Sequence, residues 1–64
     1  MPVINVTMGQ VSEEHKKQLI ERLTSVAMDV TKIGADHFTV LIHELPLENI
    51  GVGGKTVKDI RAGK

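Results

Sequence analysis

The sequence predicts an α/β fold: a single β-α-β unit with two parallel strands, followed by a C-terminal β-hairpin. Three observations carry that prediction. The stretch "VINVTM" alternates, with Ile4, Val6 and Met8 on one face and Val3, Asn5 and Thr7 on the other, the period of a strand covered on one side. A helical repeat then runs through Leu19, Ile20, Leu23, Val26, Ala27 and Val30. A second β-branched run, "FTVLIHE", extends from Phe38 to Glu44. Strands joined by a connection this long pair in parallel through a right-handed crossover.

Each element carries its own start and stop. Gly9 breaks the first strand, and Ser12 followed by Glu13 and Glu14 supplies a helix N-cap with acids at the positive end of the helix dipole, so the helix should begin near residue 13. Lys32 and Ile33 followed by Gly34 read as a basic last turn and then a left-handed C-terminal cap, giving a helix of about 20 residues, or ~30 Å. In the second strand the contiguous Val40, Leu41 and Ile42 predict burial on both faces, and Pro46 ends the run. Gly51, Gly53 and Gly54 around Val52 predict the hairpin, followed by an irregular basic tail.

A chain of 64 residues is one small domain, residues 1–64, and buries only about 60% of the surface that its unfolded form exposes. It has no cysteine for a disulfide and no Cys/His cluster for structural zinc, which leaves oligomerisation as the remaining staple. Two strands under one helix also leave sheet edges open. A homo-oligomer is therefore expected.

Composition narrows the function. Eight Lys and Arg balance eight Asp and Glu, and Phe38 is the sole aromatic residue, so the chain offers neither a basic footprint nor a stacking platform for nucleic acid. The first twenty residues lack the basic flank and apolar run of a signal peptide, and no apolar run approaches the ~20 residues that span a bilayer. The expectation is a cytoplasmic protein without a membrane or nucleic-acid partner.

Other motifs carry little chemistry. The run "GVGGK" lacks the spacing of a phosphate-binding loop and reads as a turn. His37 and His43, if both lie in the strand, stand about 20 Å apart at ~3.3 Å per residue and cannot share a metal, while His15 falls in the first helical turn. No cysteine nucleophile is available and no Ser-His-Asp motif is present. Neither a cofactor nor a metal is expected. Pro2 taken alone is a tolerated strand-start residue, because its missing N–H falls before the ladder begins.

The order of Met-Pro, a short strand, a glycine turn, "SEEHKKQLIERLTSVAMDV", "FTVLIHE" and "NIGVGGK" resembles the 4-oxalocrotonate tautomerase family of very small subunits over essentially the whole chain. The most specific matches are the Met-Pro start, the S-x-E-x-K-K-x-L-I opening of the helix and the spacing of Glu44 to Gly51, Gly53 and Gly54. The resemblance implies that Met1 is removed and that Pro2 is the general base and acid, moving a proton between the enol and keto, or unsaturated, forms of a small oxo acid. It also implies a hexamer built as a trimer of dimers, with sheets extended across subunits and sites shared between them. Typical members carry an arginine just before the helix, another in the second strand and an aromatic residue before the G-x-G-G segment. Here those places hold Gln10 and Val11, Thr39 and Ile50, while Arg61 matches a C-terminal arginine. Pro2 is thus the catalytic candidate, and Thr39, Ile50 and Arg61 are candidates to line a substrate pocket. A non-catalytic oligomeric binding protein using the same pocket is the alternative, and Met1 separates the two, since an acylated Pro2 nitrogen is an amide and no longer basic.

Overall fold

The computed structural model describes residues 2–63. Strand β1 spans Val3–Gly9, helix α1 Glu13–Thr31 and strand β2 Thr39–Leu45. β1 and β2 pair in parallel, with Val3 opposite Thr39 and Gly9 opposite Leu45. One-turn 3-10 segments at Ala35–His37 and Leu47–Asn49 flank β2. The two-residue strands β3 (Gly51–Val52) and β4 (Lys55–Thr56) then form an antiparallel hairpin, and helix α2 (Val57–Arg61) closes the chain.

The helix begins where its cap predicts. Ser12 is extended and its side chain accepts the His15 N–H at 3.1 Å, satisfying one of the donors that a helix leaves unpaired at its start. Its end differs from the expectation. The left-handed cap is Lys32, at φ 63°, with its N–H donated to the Met28 carbonyl at 2.8 Å, and the last turn carries no basic residue. Gly34 instead lies at φ −67°, where any residue is tolerated. The C-terminal tail is also not irregular: Thr56 accepts the Asp59 N–H at 3.1 Å and caps α2. The hairpin follows its glycines, because Gly53 and Gly54, at φ 62° and 84°, supply the two positive φ angles of a two-residue turn matched to strand twist.

β2 corrects a second expectation. Its residues alternate: Val40, Ile42 and Glu44 are half-buried, while Thr39, Leu41 and His43 are exposed. β1 does the same, with Ile4, Val6 and Met8 half-buried and Val3, Asn5 and Thr7 exposed. α1 covers one face of the two-stranded sheet, and nothing among the described residues covers the other. His37 lies in the 3-10 turn before β2, so the two histidines do not share a strand. On α1 the half-buried side chains include Leu19, Leu23 and Ala27, whereas Val26 and Val30 remain 62% and 74% exposed.

No described residue is fully buried. The chain measures 46 × 23 × 15 Å, and its radius of gyration of 15.0 Å exceeds the ~11 Å of a compact domain of this length. Its accessible surface is 4939 Å², against roughly 4,000 Å² for a folded monomer of this mass. The excess resembles the ~800 Å² that one partner contributes to a standard protein interface. No described helix is long and apolar enough to cross a membrane.

Candidate active site

The parallel pairing sorts the predicted site residues into two groups at opposite ends of the sheet. At the amino end, the Pro2 carbonyl accepts the Thr39 N–H at 3.1 Å, which locks the proline into the ladder beside β2. Pro2 is half-exposed, and its ring nitrogen has no ladder bond to make.

The carboxyl end gathers Gln10, Val11, Ile50 and Arg61. Here β1 and β2 finish at Gly9 and Leu45, and the 3-10 turn after Pro46 folds Leu47 back over Gly9, where a methyl group would sit 3.4 Å from Leu47 Cδ2. The hairpin then reverses the chain, and the Val57 N–H donates to the Ile50 carbonyl at 2.8 Å, drawing α2 back toward the strand ends. Two adjoining hollows result. One, of about 480 Å³, runs from Thr7 and Met8 past Leu47 and Ile50 to Val57 and Arg61. The other, of about 460 Å³, lies between Gln10, Val11, Leu47 and Arg61. Met8 and Leu47, which form their apolar floor, carried no functional signal in the sequence. Their role comes from the fold of the chain around Pro46.

The loop leading into α1 is held by Glu44. Its Oε2 accepts the Val11 N–H at 3.1 Å, and its Oε1 accepts from Lys16 Nζ at 2.7 Å. The Lys16 hydrogen bond, followed by that from Val11, keeps the Glu44 carboxyl below the usual carboxylate range, against a smaller opposing effect of burial. The match of Glu44 to the glycine segment pointed to this residue. Its partners are 28 and 33 positions away and became evident only in the fold.

β1 is seven residues long and, at about 3.3 Å per residue, separates the two groups by more than about 20 Å. A single chain therefore does not bring Pro2 and Arg61 to one small molecule.

A parallel β-α-β unit closed by a C-terminal hairpin, with functional candidates divided between the two strand ends, defines a very small α/β subunit. The chain belongs to the tautomerase family: the family model described as tautomerase enzyme matches residues 2–60. It is 35% identical over 63 residues to a probable tautomerase, K2, of Dickeya dadantii, covering 95% of this chain and 94% of that protein. Among solved structures it superposes on TomN, a 4-oxalocrotonate tautomerase homologue of the tomaymycin biosynthetic pathway, with a TM-score of 0.92 and 32% identity over 95% of each chain. It superposes on a chain of the heterohexameric 4-oxalocrotonate tautomerase of Chloroflexus aurantiacus with a TM-score of 0.89 and 26% identity, over 95% of this chain and 100% of the other. These relationships support a tautomerase activity at the level of the family.

Proposed function

We propose that the protein is a cytoplasmic tautomerase of small oxo acids, acting as one domain over residues 1–64, with Pro2 as general base and acid once Met1 has been removed. The observation that carries this reading is the family match beginning at residue 2, on a proline whose carbonyl is fixed by Thr39 and whose nitrogen is free of the ladder.

A processed Pro2 presents a secondary amine. Its lone pair takes the proton from the enol oxygen; as that O–H bond breaks, the oxygen electrons form the carbonyl. The former C=C pair then takes the proton from the prolinium N–H, making a C–H bond and returning the neutral amine. One proton moves from oxygen to carbon with no net oxidation.

The separation of Pro2 from Ile50 and Arg61 makes this site a shared one. A neighbouring chain running antiparallel would deliver its Pro2 and Thr39 to the hollow at the carboxyl ends of β1 and β2. The excess surface and the open sheet face support such packing, and the heterohexameric assembly of one structural relative makes a hexamer, as a trimer of dimers, the proposed state.

The test combines mass spectrometry of the protein from its native host with ketonisation of a simple enol acid followed by ultraviolet absorbance. Loss of Met1, turnover, and loss of most of that turnover in Pro2→Ala are expected. Retention of Met1 without turnover would leave the non-catalytic binding protein as the better reading.

A further inference from the structure

We propose that Glu44 is a positioning residue of the strand-end site, in which the two oxygens of one carboxylate have separate tasks: Oε1 secures α1 through Lys16, and Oε2 holds the Val11 wall of the hollow against which the substrate lies. The inference rests on the tautomerase reading for the use of the hollow, and on the hydrogen bonds of the chain for the rest.

Glu44 breaks the pattern of its own strand. Val40, Ile42 and Glu44 share the half-buried, helix-covered face of β2, so the alternation puts a carboxylate where an apolar side chain is the usual occupant. Its register partner is Met8, which lines both strand-end hollows. An ion pair accounts for one oxygen, the Oε1 that accepts from Lys16 Nζ at 2.7 Å. The other accepts the Val11 N–H at 3.1 Å, across 33 positions of sequence.

Val11 depends on that bond because of what flanks it. On one side lies the hollow of about 460 Å³ that it shares with Gln10, Leu47 and Arg61. On the other is a hollow of about 280 Å³ beside α1, which it lines together with Met8, His15, Leu19 and Arg22. A residue standing between two hollows is not wedged by the packing of its own chain, so the bond from its main-chain N–H to Glu44 sets where the wall stands. Because the acceptor is ionised, that bond is stronger than one between neutral groups.

Three variants of the processed protein separate the two tasks. Glu44→Met removes both bonds while suiting the helix-covered face, Glu44→Gln keeps an acceptor for Val11 without the ion pair, and Lys16→Met removes the ion pair while leaving the carboxylate to Val11. Ketonisation of the enol form of phenylpyruvate is followed by ultraviolet absorbance, and hydrogen exchange of the Val11 amide by NMR. Glu44→Met should raise KM about 5–10-fold, the scale of one net hydrogen bond, with kcat little changed, since the wall touches the substrate body in the ground state and the transition state alike. Its Val11 amide should exchange faster than in the parent. Glu44→Gln should recover most of the KM, and Lys16→Met should lower the Tm yet leave KM and the Val11 amide near the parent values. If Glu44→Met does not fold, the double variant Lys16→Met with Glu44→Met, which strands no ammonium beside the new side chain, takes its place. An equal rise of KM in Lys16→Met, an unchanged KM in Glu44→Met, or a Val11 amide that exchanges alike in the parent and Glu44→Met would overturn the proposal. Absence of turnover in the unaltered protein would remove the tautomerase reading, and the exchange comparison alone would then decide whether Glu44 tethers Val11.

Discussion

Lys16 Nζ lies 2.7 Å from Glu44 Oε1, and the second oxygen of the same carboxylate accepts the Val11 N–H at 3.1 Å. One side chain near the end of β2 thus ties down both the first turn of α1 and the loop that enters it. Because Val11 lines the hollow beside Arg61, this contact also sets one wall of the proposed site.

The first prediction concerns pH. Glu44 has a lowered pKa in the folded chain, so its contribution to stability is complete above the unfolded value of about 4.3 and is lost as pH falls through the folded value. Glu44→Gln retains an acceptor for Val11 but not the ion pair. Denaturant titrations at fixed protein concentration should show the variant less stable than the parent at pH 6–7, and the gap should close below about pH 4. A gap that persists at low pH would mean that the glutamate acts through shape and not charge.

Lys32 gives the second prediction. A non-glycine residue in the left-handed region carries a cost of about 1 kcal/mol, partly offset for glycine by its freedom in the unfolded chain. Lys32→Gly should therefore stabilise by about 0.5–1 kcal/mol, since the exposed Lys32–Asp29 pair at 3.9 Å contributes little. Thermal unfolding at matched concentration reads this directly; a lower Tm would show that Lys32 has a contact in the assembly.

The third prediction checks the phase of α1. Leu23 is half-buried and Lys17 exposed, so Leu23→Asp should cost at least about 2 kcal/mol while Lys17→Glu stays within about 0.5 kcal/mol. Equal effects in denaturant unfolding would place the wrong face of the helix against the sheet.

These elements also show what the sequence made legible. Strand phase, the Ser12 cap and the glycine hairpin follow from contacts within a few residues, and each lies where local chemistry puts it. Lys32 was not legible as the cap because Gly34 has the better intrinsic preference, and the helix stops two residues earlier. α2 was hidden because five residues are too few for a periodic pattern, so its existence depends on Thr56 and on Val57 reaching Ile50. Contiguous Val40, Leu41 and Ile42 suggested burial on both faces, yet one chain supplies a single covering layer. Pro2 and Arg61 were separately recognisable as candidates. Their separation by the length of β1 required the parallel register.

The last prediction follows from that uncovered layer. Val3 and Leu41 are 47% and 44% exposed on the open sheet face, alongside Asn5 and His43, whose side chains approach to 3.4 Å across the strands. At about 25 cal/mol per Å² of apolar surface removed from water, covering even half of the excess area would favour association by several kcal/mol. Lysine at position 41 would place a charge in that contact without a partner of opposite sign on the same face, where the exposed neighbours are Val3, Asn5, Thr7, Thr39 and His43. Leu41→Lys should thus shift the protein from a sedimenting oligomer to smaller species at micromolar concentration, with loss of ordered structure, since none of the described residues is fully buried in the free chain. Turnover should fall with the oligomer, because Pro2 of one chain would no longer reach the hollow of another. An unaltered sedimentation profile would show that subunits meet through α1 and the strand edges alone, leaving the open face to another use.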